Sequence, residues 1–109
     1  AIGGSYWTYS KGYYYALRGG TAMDKKEDDK AITFLMKAYK MNPGAFMVAY
    51  DIACCYARKA DSEACFHWMR IALESRNANF AKRWAKSDHD FDSVRQTAEF
   101  QSLVYASAK

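Results

Sequence analysis

The sequence predicts an all-α chain whose helices pair into antiparallel helix-turn-helix units stacked as a short α-solenoid. Three observations carry that expectation. Half of the 109 residues are hydrophobic, with one proline and six glycines, too few turn formers for a many-stranded sandwich and too much apolar material for a disordered chain. Apolar residues recur at helical spacing in several separate stretches. Small residues also return at a fixed interval: Ala31 and Ala38 in one stretch are answered by Cys65 and Ala72, 34 residues later, in another. The length suits one small domain spanning residues 1–109.

The elements follow in chain order. Residues 5–24, rich in tyrosine and alanine, predict a first helix, although Gly12, Gly19 and Gly20 each cost roughly 1 kcal/mol relative to alanine in a helix interior. Gly19 and Gly20 are therefore expected to serve helix packing. The polar run Asp24–Asp29 supplies a turn and the acidic start of a second helix. That helix carries Ala31, Leu35, Ala38 and Tyr39 at helical spacing and stops at Asn42-Pro43-Gly44. A third runs from about Phe46 to Lys59 and is apolar on more than one side, as a helix contacted from several directions must be. Asp61 or Ser62 caps a fourth, whose apolar face (Ala64, Cys65, Trp68, Met69, Ala72, Leu73) continues to about Ser75. Residues 78–87 form a short fifth with Phe80 and Trp84 at i, i+4. The remainder, with Phe91, Val94, Phe100, Leu103 and Val104, is expected to fold back as short helical turns over the last unit.

Residues 12–45 laid over 46–79 pair Tyr15 with Ala49, Gly19 with Ala53, Ala22 with Tyr56, Ala31 with Cys65, Leu35 with Met69, and Ala38 with Ala72. Short side chains at matching places let paired helices approach closely. Repeat one thus covers about 12–45 and repeat two about 46–79, with an incomplete third unit and cap over about 80–109. This pattern resembles the tetratricopeptide repeat, W-x2-L-G-x2-Y, then A-x3-F, then P. Tyr15, Gly19, Ala31, Leu35, Ala38 and Pro43 take its places in the first copy, where Arg18 and Ala22 depart from it. Ile52, Ala53, Tyr56, Cys65, Met69 and Ala72 do so in the second, where Ala49 replaces the tryptophan and Asn77 the proline. The stretch Ala49–Glu74 followed by Ser87–Leu103 also resembles the closing end of many bacterial repeat proteins.

The resemblance implies a non-catalytic protein-protein interaction module that holds a peptide or partner protein in the groove of its helices. In this family the first helix of each pair lines that groove. Tyr13, Ala16, Gly20 and Met23 would do so in copy one, and Met47, Tyr50, Cys54 and Arg58 in copy two. Trp84, with Lys82 or Lys86, would extend it. An aromatic and methionine lining suits an apolar or helical peptide; packing on the aromatic N-terminal segment is the competing reading. Family members that clamp acidic chaperone tails use lysine and asparagine where this chain has Ala16, Gly20, Tyr50 and Cys54. The partner is therefore expected to be more apolar than acidic. A structural or self-assembly segment of a larger protein is the alternative, motivated by the aromatic run Ser5–Tyr15. A thiol-redox activity of Cys54 or Cys65 ranks third.

Other classes find little support in the residues. The net charge of +4 is a mild excess, and Arg76, Lys82, Arg83 and Lys86, followed by Asp88, Asp90 and Asp92, read as solvated faces and helix caps; a nucleic-acid partner is not expected. His67 and His89 lack partners in ligand spacing, and the Asp88/Asp90/Asp92 alternation lacks the glycine and distal glutamate of a calcium loop, so neither metal nor cofactor is expected. No phosphate-cradling glycine loop, nucleophile elbow or paired-carboxylate site is present, and no catalytic residue is assigned. Cys54, Cys55 and Cys65 form no disulfide framework, which tilts towards a reducing, cytoplasmic compartment, although a Cys54–Cys65 bridge is conceivable between neighbouring helices. No run is apolar enough to insert in a membrane. A start without methionine fits a processed chain or an excised domain.

Overall fold

A computed structural model of the chain describes residues 11–105. Among these residues there are six α-helices and no strand: α1 (Lys11–Asp24), α2 (Asp28–Met41), α3 (Phe46–Arg58), α4 (Ser62–Leu73), α5 (Ala78–Ser87) and α6 (Ala98–Tyr105), with a 3-10 turn at His89–Phe91. The expected start of the first helix at residues 5–10 lies outside them. Each helix packs chiefly on its neighbours in sequence, α1 on α2, α3 on α4, and α2 on α3. No helix among the described residues is long and apolar enough to cross a membrane.

The α1–α2 and α3–α4 connections are the same backbone structure. Lys26 and Ala60, 34 residues apart, both adopt left-handed φ, 62° and 59°. The amide of Glu27 donates to Ala22 O at 2.9 Å and that of Lys26 to Met23 O at 2.9 Å. Asp61 donates to Tyr56 O and Ala60 to Ala57 O, also at 2.9 Å. These paired bonds satisfy the last carbonyls of α1 and α3 and reverse the chain. A side-chain cap starts α4, where Asp61 Oδ1 accepts from the Ala64 amide at 3.2 Å.

The positions matched in the sequence are the contact positions. Ala31, Ala38, Cys65 and Ala72 are all fully buried, with Leu35 and Met69 beside them. Gly19 allows α1 its close approach to α2, since a Cβ there would lie 2.6 Å from Leu35 Cγ. Gly20 meets nothing within 4 Å, so the packing role expected for it belongs to Gly19 alone. α3 is buried on two sides, as its apolar pattern requires. Val48, Ile52 and Cys55 join the cluster under α1 and α2, while Ala49, Ala53, Cys54 and Ala57 join the one formed with α4, α5 and the C-terminal turns. Phe91, Val94, Phe100 and Val104 cover that second cluster, being at most 2% exposed.

Candidate functional site

α3 carries a single charge between Phe46 and Ala57, Asp51, and closes with Arg58. Arg58 ties three segments together. Its Nε donates to Asp28 Oδ1 at 2.8 Å, Nη1 to Asp90 Oδ1 at 3.4 Å, and Nη2 to Met23 O at 3.2 Å. Only 14% of its side chain is exposed. Its guanidinium therefore fastens the start of α2 and the turn after α5 to the end of α3.

One turn earlier, Tyr50 Oη donates to Asp88 Oδ2 at 2.8 Å, and the Cys54 thiol to the same oxygen at 3.7 Å. Asp88 Oδ1 accepts from the Asp90 amide at 3.0 Å, capping the 3-10 turn. Burial, reinforced by the charge of Asp88, pushes the Cys54 thiol far above its ordinary range. Burial and then the neighbouring Cys54 do the same to the Tyr50 hydroxyl. Burial also pushes Cys55 and Cys65 up to about 12. All three cysteines are free and buried, and a nucleophilic thiolate is disfavoured at each.

Asp51 stands in a different environment. Burial, then the like charges of Asp88 and Asp90, push its carboxyl up to about 7; Arg58 opposes the shift and Asp24 adds to it. No side chain among the described residues donates a hydrogen bond to it. It forms the polar end of a shallow depression lined by Ala16, Asn42, Ala45, Phe46, Met47 and Val48. Beside this depression the Trp84 indole stacks on Phe46, with ring centroids 6.1 Å apart, and meets Tyr50 edge-on at 5.7 Å.

The residues expected in the groove divide accordingly. Met47 is 54% exposed, and it lines the depression together with Ala16. Trp84 is 38% exposed at its flank. Tyr13 is half-buried on α1, and Met23 is half-buried between the two apolar clusters. Tyr50 and Cys54 are 5% and 1% exposed and lie under the Asp88 turn, so they offer a partner almost no surface. Asp51 and Phe46 are not among the expected site residues; Asp88 and Asp90 are expected as solvated charges and helix caps, and Asp88 does cap the 3-10 turn, but their bonds to Tyr50, Cys54 and Arg58 are additional. A lone charge in an otherwise apolar helix was the available signal for Asp51.

Cys54 Sγ and carboxylate oxygens of Asp88 and Asp90 all lie within 4.8 Å of one another, a grouping that could hold a metal ion. Their lone pairs already serve Tyr50, Arg58 and the Asp90 amide, and the thiol resists ionisation. A metal would have to displace those bonds. His89 stands apart, 94% exposed and paired with Asp92. Comparison of the chain with protein-family profiles, with curated proteins and with solved structures gives no match.

Proposed function

We propose that the chain is a short tetratricopeptide-like solenoid acting as a non-catalytic binding module, which holds a peptide or partner protein along its α1–α3–α5 face. The observation that carries this reading is an exposed apolar patch beside a repeated scaffold. Met47, Phe46 and Trp84 present accessible surface on elements whose opposite sides are fully packed. Large adaptable side chains of this kind are the usual anchors of peptide grooves. The turn repeated at Lys26 and Ala60 supports the helical-repeat architecture.

The test is affinity capture with the intact chain and with Met47→Ser and Trp84→Ala variants, read by mass spectrometry. Met47 is exposed, so its replacement leaves the packing intact; Trp84 also packs on Phe46 and Tyr50, so circular dichroism of each variant accompanies the capture and a partner lost by a folded variant reports on binding. Partners captured equally by all three proteins would overturn the groove assignment. A second reading, self-association, draws on Tyr14 and Leu17, which are 53% and 55% exposed on the first helix. Sedimentation velocity over a hundredfold concentration range decides it: a strict monomer throughout rules it out.

A further inference from the structure

We infer that the occupant of this groove is a basic segment of a partner protein, which seats a lysine or arginine at Asp51 and an adjacent bulky apolar side chain on Met47 and Phe46. The inference rests on the groove reading above and specifies its ligand. Its physical basis is what covering the depression would do. Any chain lying on Ala16, Phe46 and Met47 also covers Asp51, the polar end of the same surface. A wholly apolar occupant would strip water from a carboxyl that receives no side-chain hydrogen bond among the described residues, and burying an unpartnered polar group is costly. An acidic occupant would add a further like charge. Only an occupant bringing a donor, and best a cation, relieves the site.

The local charge supports the same choice. The chain as a whole is basic, at +4. Around Asp51, however, α1 contributes Asp24, and the segment after α5 contributes Asp88 and Asp90. The one guanidinium among them, Arg58, is already engaged by Asp28 and Asp90. Asp90 has that guanidinium as its partner, but Asp24, Asp51 and Asp88 form no ion pair among the described residues, and a cation arriving from outside meets these. This refines the sequence expectation of an apolar partner: the anchor is apolar, but its neighbour carries positive charge.

The experiment uses three fluorescein-labelled synthetic peptides of equal length, with leucine at the same positions and lysine, glutamate or serine between them. Each is titrated with the intact protein by fluorescence anisotropy. The lysine peptide is expected to bind about tenfold more tightly than the glutamate peptide, an advantage that shrinks several-fold in 0.5 M salt. Non-specific attraction to a protein of net charge +4 would give the reverse order, so the preference reports the local field. Asp51→Asn should weaken the lysine peptide about fivefold and leave the serine peptide unweakened, whereas Met47→Ser should weaken both. If the glutamate or serine peptide binds as well as the lysine peptide, or if Asp51→Asn changes nothing, the charge assignment falls while the groove reading stands. If none of the three binds, both fall.

Discussion

The α1–α2 and α3–α4 hairpins share their turns and their contact residues, but differ in what they present on the first helix of each pair. Thirty-four residues separate Gly19 from Ala53, Leu35 from Met69, and Lys26 from Ala60, and each pair does the same structural job. The same offset carries Ala16 to Tyr50, Leu17 to Asp51, Gly20 to Cys54 and Asp24 to Arg58. In the first hairpin these places hold small or exposed side chains. In the second they hold a polar network sealed on one side by Asp88 and Asp90 and open on the other at Asp51. Packing constrains the positions between paired helices, because their volume is fixed by the helix opposite. The remaining face is free to diverge, and there the chemistry differs.

The largest difference between the hairpins is the cover over the second. Phe91 is fully buried and meets Tyr50 and Phe100 with ring centroids 5.5 Å from each. Phe91→Ala should cost about 3–5 kcal/mol, as expected for an aromatic removed from a packed core. Chemical denaturation measures the loss. Should the cost stay below about 1 kcal/mol, the C-terminal turns do not seal α3 as described. Next comes Arg58. Arg58→Ala leaves Asp28 and Asp90 without their shared partner and should destabilise by about 1–3 kcal/mol, less than for a fully buried ion pair because all three side chains keep some contact with water. Its counterpart Asp24 is exposed, and Asp24→Ala should change stability by under about 0.5 kcal/mol. Equal effects of the two would erase the distinction between the hairpins.

Asp51 separates stability from binding. Its carboxyl titrates at about 7 in the folded chain against an ordinary 3.8, so folding favours the protonated form. The associated stability is fully present below about pH 4 and is lost as pH rises through 7. Asp51→Asn removes that pH-dependent loss. It should stabilise the protein by about 2 kcal/mol at pH 8, solvent screening part of the interaction, and by little near pH 4. Thermal melts at the two pH values check the sign. A variant that is both more stable and a poorer binder of a basic peptide would identify Asp51 as a residue held at a cost for its interaction. A melting difference independent of pH would contradict the environment assigned to it.

Much of the fold was legible because helix packing writes itself into small-residue spacing. Ala31, Ala38, Cys65 and Ala72 were readable as contact points, and the two-sided apolar pattern of α3 foretold its central place. The site was less legible for a geometric reason. The sequence resemblance leads to an expectation of Tyr50 and Cys54 in a groove, but whether they face solvent depends on the path of residues 88–97, which follows no period. That path brings Asp88 onto both side chains and Asp90 onto Arg58. Glycine spacing misled at Gly20, where neither a close contact nor a left-handed φ requires the residue. Among the described residues the left-handed positions are Lys26 and Ala60, which carry no glycine signal.

Those two turns yield the smallest and most symmetrical prediction. A left-handed conformation brings Cβ close to the following carbonyl oxygen in any L-residue other than glycine, a strain of about 1 kcal/mol. Lys26 and Ala60 both bear it, with φ of 62° and 59° and the same pair of closing hydrogen bonds. Lys26→Gly and Ala60→Gly should therefore each stabilise the protein by about 0.5 kcal/mol, the relieved strain being partly offset by the greater freedom of glycine in the unfolded chain. The gains should add in the double variant, since additivity holds for separate sites. Differential scanning calorimetry of the two single variants and the double variant measures this. Equal, additive gains mean that both hairpins close by one backbone device; a gain at only one of them confines the equivalence of the hairpins to the helix contacts.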